Sequence, residues 1–237
     1  MVRASALAVL LGLLPGSLSA CRLALILAID VSSSVDPRED RLQRGGLAAA
    51  LIAPEVQDAF FVSSDPVALA VYEWSGRYNQ ELLLDWIMIR SPADLLAASE
   101  VIKTSTRSQD EFPTAMGYAL GYTTTLFQDG PDCLFKTIDM AGDGENNDGF
   151  GPLEAYSAFP FDGVTVNGLV VNSGDYEGEV LLIPYFLEEV IRGPGAFIEV
   201  AQGFEEYATA MERKLIRELG TFAIGSGGHP RSAEDAG

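Results

Sequence analysis

The run "CRLALILAID", residues 21–30, constrains the fold more than any other stretch. It is apolar almost without interruption, so it has no polar face to offer to solvent. A strand of this kind has to be covered on both sides, which is the situation of a central strand in a parallel sheet. The next segment reads as a helix. In "DPREDRLQRGGLAAALI", Asp36 is suited to be the N-cap, Pro37 fits the first turn, and Glu39 completes a capping box.

The same alternation continues along the chain. Strands are expected at 66–75, at 80–87 as an antiparallel edge partner after the "GRYN" turn, at 133–144, at 164–171 and at 196–201. Helices are expected at 91–103, capped by Ser91, and at 114–127, 183–192 and 204–219. Strand–helix alternation over this length predicts an α/β fold, a doubly wound, mostly parallel sheet with helices on both faces and one antiparallel edge strand. In such sheets ligands sit outside the carboxyl ends of the strands, where the strand order reverses. Asp30 and Asp143 each end an apolar strand and are expected on that face.

The termini read differently. "MVRASALAVLLGLLPGSLSA", residues 1–20, has an early arginine, a short apolar stretch, a Pro-Gly break and small residues, the layout of a secretory signal peptide. The apolar stretch is too short for a permanent transmembrane span, and no other segment is long and apolar enough. The chain is therefore expected to be exported, to a periplasm or the extracellular space, with one domain at 21–219 and a disordered, Gly-rich tail at 220–237. The formal net charge is −19. Such acidity repels phosphate backbones and argues against nucleic-acid partners.

Asp30, Ser32 and Ser34 alternate after the first strand, an arrangement that in an extended segment turns all three side chains one way. With Thr114 and Asp143, two carboxylates and three hydroxyls are expected to meet. Hard oxygen donors suit Mg²⁺, Mn²⁺ or Ca²⁺ rather than zinc or copper. The competing reading makes the serines and Asp36 plain helix caps. A rival site begins at "DGENNDG", where Asp143, Glu145, Asn147 and Glu154 fall at EF-hand positions, but Asp148 stands where that loop needs glycine. That stretch is read as a polar loop at the rim.

These residues carry a resemblance. Asp30-Val-Ser32-Ser-Ser34 resembles the D-x-S-x-S signature of the von Willebrand factor A domain family. Thr114, with Gly117 and Ala119-Leu120, is similar to its second motif, and Asp143-Gly144 to its third. The resemblance spans about residues 22–219 and is nearest to secreted bacterial members. It implies a metal-ion-dependent adhesion site. Ser32, Ser34 and Thr114 would touch the cation directly or through water, and Asp30 and Asp143 would act largely through waters. Mg²⁺ is the expected ion, and a partner's acidic group would complete its coordination. The third motif usually reads Thr-Asp-Gly; here Gly142 precedes Asp143.

In the fold so implied, the strands beginning at Cys21 and Cys133 are parallel neighbours, and the two cysteines meet at the edge opposite the metal site. A disulfide there is the preferred reading in an oxidising compartment. The alternative is a lipid on Cys21, since "LSAC" resembles a lipobox. As to function, a metal-dependent binding module is expected. The alternatives are a metal-assisted hydrolase, or a scaffold with a vestigial site. A catalytic reading is disfavoured: Ser32 stands where a phosphatase would place a second acid, His229 is remote in the tail, and no nucleophile elbow, P-loop or dinucleotide fingerprint is found. The stretch 189–211, with a Gly-Pro-Gly turn and several aromatics, is read as core and turn, with a partner surface as the lesser possibility.

Overall fold

The computed structural model describes residues 21–172 and 176–221. The expected signal peptide and nearly all of the expected tail lie outside them. Among the described residues, six strands form one sheet: β1 (Cys21–Asp30), β2 (Val67–Trp74), β3 (Gln80–Ile89), β4 (Cys133–Gly142), β5 (Val164–Val171) and β6 (Ile198–Ala201). Their order is β3-β2-β1-β4-β5-β6, and only the β2–β3 pair is antiparallel. This is the expected doubly wound sheet with an antiparallel edge.

Every residue of β1 is buried, and its alternation divides the core in two. Leu23, Leu25, Leu27 and Ile29 face a layer built by α1 (Pro37–Leu51), α2 (Pro54–Phe60), α3 (Pro92–Thr104) and α7 (Tyr207–Thr221). Ile26 and Ala28 face the other layer, built by α4 (Met116–Asp129), α5 (Pro152–Ala158) and α6 (Tyr176–Tyr185) with the π-turn Phe186–Val190 that continues it. The capping box forms as expected. The Asp36 carboxylate accepts the N–H groups of Arg38 and Glu39, and Glu39 accepts the N–H of Asp36.

Several elements depart from expectation. Two short helices, α2 and α5, are additional to the expected set. Each opens on a proline in its first turn, and each buries a few side chains, among them Val56 and Phe60 in α2. The helix expected at 183–192 starts earlier, at Tyr176, and Phe186 and Val190 of its π-turn are buried against the sheet. The last helix ends at Thr221, two residues beyond its expected end.

Cys21 and Cys133 are register partners of β1 and β4, with Cα atoms 4.6 Å apart, and they form a disulfide across 112 residues of sequence. With that bond made, the Cys21 sulfur has no valence left for a lipid thioether. A disulfide closing so long a loop contributes about 2–5 kcal/mol.

Candidate metal centre

The strand order reverses at β1, which has β2 on one side and β4 on the other. The crevice at the carboxyl ends of β1 and β4 holds all five expected residues. The Asp30 Oδ1 atom accepts the Ser32 N–H at 2.7 Å. The Ser32 and Ser34 hydroxyls are 3.1 Å apart, Ser34 Oγ donates to Asp143 Oδ1 at 2.8 Å, and Thr114 Oγ1 donates to Ser32 Oγ at 3.2 Å. The serines therefore do not cap α1; Asp36 does. One detail of the expectation fails. Residues 31–35 are a turn, not an extended segment, and the Val35 N–H donates to Ser32 O. The turn still brings Asp30, Ser32 and Ser34 together. Asp30, Ser32 and Thr114 are buried, Asp143 is half-buried and Ser34 is exposed, so the cluster opens to solvent on the Ser34 side.

Residues far away in sequence hold this arrangement. The Arg107 guanidinium reaches back over the turn and donates to the carbonyls of Val31, Ser32 and Val35, at 2.6–3.2 Å. Gln43 of α1 donates to the Asp30 carbonyl at 2.7 Å. On the other side, Asn147 Oδ1 accepts the Thr114 N–H at 2.9 Å, while the N–H groups of Asn147 and Asp148 donate to Thr114 O. Asp148 also pairs with Arg77 at 2.7 Å. The stretch 143–151, read from the sequence as a polar loop at the rim, braces Thr114. Gly117 allows this brace to lie on α4. A Cβ there would come 2.1 Å from Phe150 O and 2.6 Å from Gly151 O. Sequence reasoning missed Arg107, and it singled out Asn147 only as a position of the rival loop, not as the partner of Thr114. Asn147 carried a faint signal, sitting in an Asn-rich turn after a strand, while Arg107 carried none.

The electrostatics of the cluster favour a cation beside it. Asp30 is pushed up to about 8, first by burial and then by repulsion from Asp143. Asp143 is also raised, chiefly by burial, with the Ser34 hydrogen bond opposing. The Asp30 Oδ2 atom is buried and has no hydrogen-bond partner among the described residues. Two carboxylates, one of them with an orphaned oxygen, and three hydroxyls suit a hard divalent cation. At the third motif, Gly142 packs beside the Asp30 carboxylate. A Cβ on Gly142 would lie 3.2 Å from Asp30 Oδ2, so glycine leaves that oxygen uncrowded. Among the described residues, no group of three or more His, Cys, Asp or Glu side chains is arranged for a metal, so the candidate depends on its hydroxyls. In the stretch 189–211, Phe197, Phe204 and Tyr207 are buried, which makes these aromatics core, as expected.

A family model described as "Protein of unknown function (DUF1194)" matches residues 20–223. No curated protein sequence matches the chain. Among solved structures the chain is similar to proximal thread matrix protein 1 from the mussel byssus, at 19% identity and a TM-score of 0.59, over 85% of this chain and 49% of that one. A further structure of that protein, described as having a zinc-occupied MIDAS motif, aligns at 17% identity and a TM-score of 0.57, over 85% and 48%. A von Willebrand factor type A protein from Catenulispora acidiphila aligns at 16% and 0.56, over 84% and 43%. An aerotolerance-related membrane protein from Bacteroides fragilis NCTC 9343, carrying multiple mutations to serines, aligns at 18% and 0.53, over 82% and 99%. The chain spans about half the length of the mussel protein. At these identities the likeness establishes the fold, which is von Willebrand A-like.

Proposed function

The chain belongs to the DUF1194 family, and from that premise we propose that it is an exported binding module that recognises a partner through a divalent cation. The observation that carries this reading is the convergence of Asp30, Ser32, Ser34, Thr114 and Asp143 around an orphaned, buried carboxylate oxygen. Ser32, Ser34 and Thr114 would hold the cation, with Asp30 and Asp143 supplying charge and hydrogen bonds from behind. Mg²⁺ fits the all-oxygen set, with Mn²⁺ and Ca²⁺ as alternatives. When bound, the cation offers a Lewis-acidic position to a carboxylate oxygen of a partner. The zinc-occupied motif of the mussel matrix protein supports a cation at this place in the fold. The disulfide supports export, since such bonds persist in oxidising compartments. A binding role is favoured over catalysis because, among the described residues, no histidine or cysteine approaches the cluster to activate a hydroxyl.

The test is the melting temperature of the exported chain, stripped of metal and then supplied with Mg²⁺, Mn²⁺ or Ca²⁺, beside Asp30→Ala and Ser34→Ala. A cation at about 100 times its Kd adds about 2.7 kcal/mol. For a domain of this size that corresponds to about 5–10 °C. The shift is expected in the parent chain and absent in Asp30→Ala. Capture of a partner by the loaded chain should then cease in chelator. A folded parent chain that shows no shift with any of the three cations overturns the proposal.

A further inference from the structure

Cations are scarce here, 15 Lys and Arg against 34 Asp and Glu. Four of them nevertheless line one cavity, between α1 and the segment after α3. Its volume is about 560 Å³, and its walls include Arg41, Arg44, Lys103 and Arg107, with Ser105 and Thr106 between them. The acidic residues of the lining are Asp40 and Asp110.

The four cations are not equivalent. Arg44 is buried and already matched. Its guanidinium pairs with Asp40 at 2.9 Å and with Glu73, and donates to Ser105 Oγ at 2.7 Å. It forms a rigid wall. Arg107 directs its donors to neutral backbone carbonyls, and Asp30 and Asp143 feel its charge without touching it. Arg41 is exposed and makes no ion pair among the described residues, although Asp36 feels its charge. Lys103 is exposed and stands 3.9 Å from Glu100, a loose contact on the same helix. Arg41, Lys103 and Arg107 thus bring three cationic groups to the cavity, against Asp110 and the one negative charge left where Arg44 serves both Asp40 and Glu73. On a chain of net charge −19, such a concentration is a local reversal of sign.

We propose that this cavity binds a small oxyanion, an organic molecule or ion bearing phosphate or carboxylate groups. The volume lies within the range of small-ligand pockets, about 300–1,000 Å³. The Arg41 guanidinium can match carboxylate or phosphate oxygens with paired donors, the Lys103 ammonium adds a mobile charge, and Arg107, its donors held by backbone carbonyls, adds its positive field. The Thr106 hydroxyl adds a neutral donor, whereas that of Ser105 is already spent on Ile102 O. This site is distinct from the metal centre and does not depend on it, although Arg107 borders both.

Titration calorimetry at low ionic strength tests this, with the exported chain stripped of metal and dialysed free of chelator, which is itself a polycarboxylate. The probes are inorganic phosphate, glycerol 3-phosphate and citrate. The expected result is saturable binding of at least one probe at one site per chain, weakening as salt rises. Phosphate and citrate arms identify which oxyanion class is preferred. In Arg41→Ala/Lys103→Ala the affinity should fall at least about tenfold, since two charge-assisted contacts are lost. Both positions are exposed, and an unchanged melting temperature would verify that the double variant is folded. Arg38→Ala, which removes an exposed cation of the same helix that pairs with Glu205 instead, should bind as the parent does. No saturable heat with any of the three probes overturns the proposal, as does equal affinity in the double variant.

Discussion

Lys214 offers the sharpest test of how this fold is held together. It lies on α7, wholly buried, with its ammonium 2.7 Å from Asp139 of β4 and 3.6 Å from Glu218 one turn on. The other Glu218 oxygen accepts from Asn167 of β5 at 2.6 Å, and the ring of Phe197 lies 5.3 Å from the ammonium. Burial raises Asp139, and it pushes Glu218 up to about 7, with Lys214 opposing in both cases. Lys214→Met keeps the bulk and removes the counter-charge. Two carboxyl groups are then buried without a cation, and breaking a buried pair in this way costs about 3–5 kcal/mol. At about 2–4 °C per kcal/mol for a domain of this size, the melting point should fall by about 6–20 °C. The sign of the pH dependence comes from the raised pKa values. Without Lys214 both rise further, so the penalty is largest where the carboxyls would be ionised and shrinks as they take up protons in the folded state. Urea denaturation at about pH 8 should show the full loss, and at about pH 5 a smaller one. Adding Asp139→Asn to Lys214→Met should recover part of the loss at the higher pH. A loss below about 1 kcal/mol, the value of an exposed pair, would refute the reasoning, as would an equal loss at both pH values.

The candidate metal centre gives two further expected outcomes. Asp30, raised from 3.8 to about 8, is protonated in the metal-free folded chain where the unfolded chain is ionised. Stability of the metal-free form should therefore decline as pH rises from the ordinary carboxylate range through about 8, and Asp30→Asn should flatten that decline; an identical slope in the variant would exclude Asp30 as its source. Gly117→Ala places a Cβ 2.1 Å from a backbone carbonyl that has no flexible end to yield. A loss of about 1–3 kcal/mol is expected in thermal melts, with a smaller cation-induced shift, and a parental melting point would show that the 143–151 brace moves freely.

The range of the forces involved decides which features are legible in the sequence and which are hidden. The apolar run of β1, the box around Asp36 and the motifs at the strand ends are local patterns, written within a few residues, and each appears where expected. The Arg107 strap joins residues 76 apart, and the Lys214–Asp139 pair joins a helix to a strand 75 positions earlier. Neither residue breaks its local pattern in a way that names its partner. Asp139 interrupts an apolar strand, and that interruption is the one visible sign that a buried counter-charge has to exist. Helices α2 and α5 are too short to develop a periodicity, and their prolines read equally well as loop residues. The 31–35 turn reads as an extended segment because alternation alone does not separate a strand from a turn whose ends are tied from outside.

The Cys21–Cys133 bond makes residues 21–133 a covalent ring. Asp30, Ser32, Ser34, Thr114 and Arg107 all belong to that ring; of the cluster, Asp143 alone lies outside it. A protease that clips the exposed stretches near residues 62–65 or 108–112 opens the ring but releases nothing, and the two pieces travel together until a thiol reductant separates them. A clip beyond Cys133 has no such safeguard. It would part Asp143 or α7 from the rest of the chain with only packing to retain them. In an environment rich in proteases, the molecule is insured along its first half and vulnerable along its second.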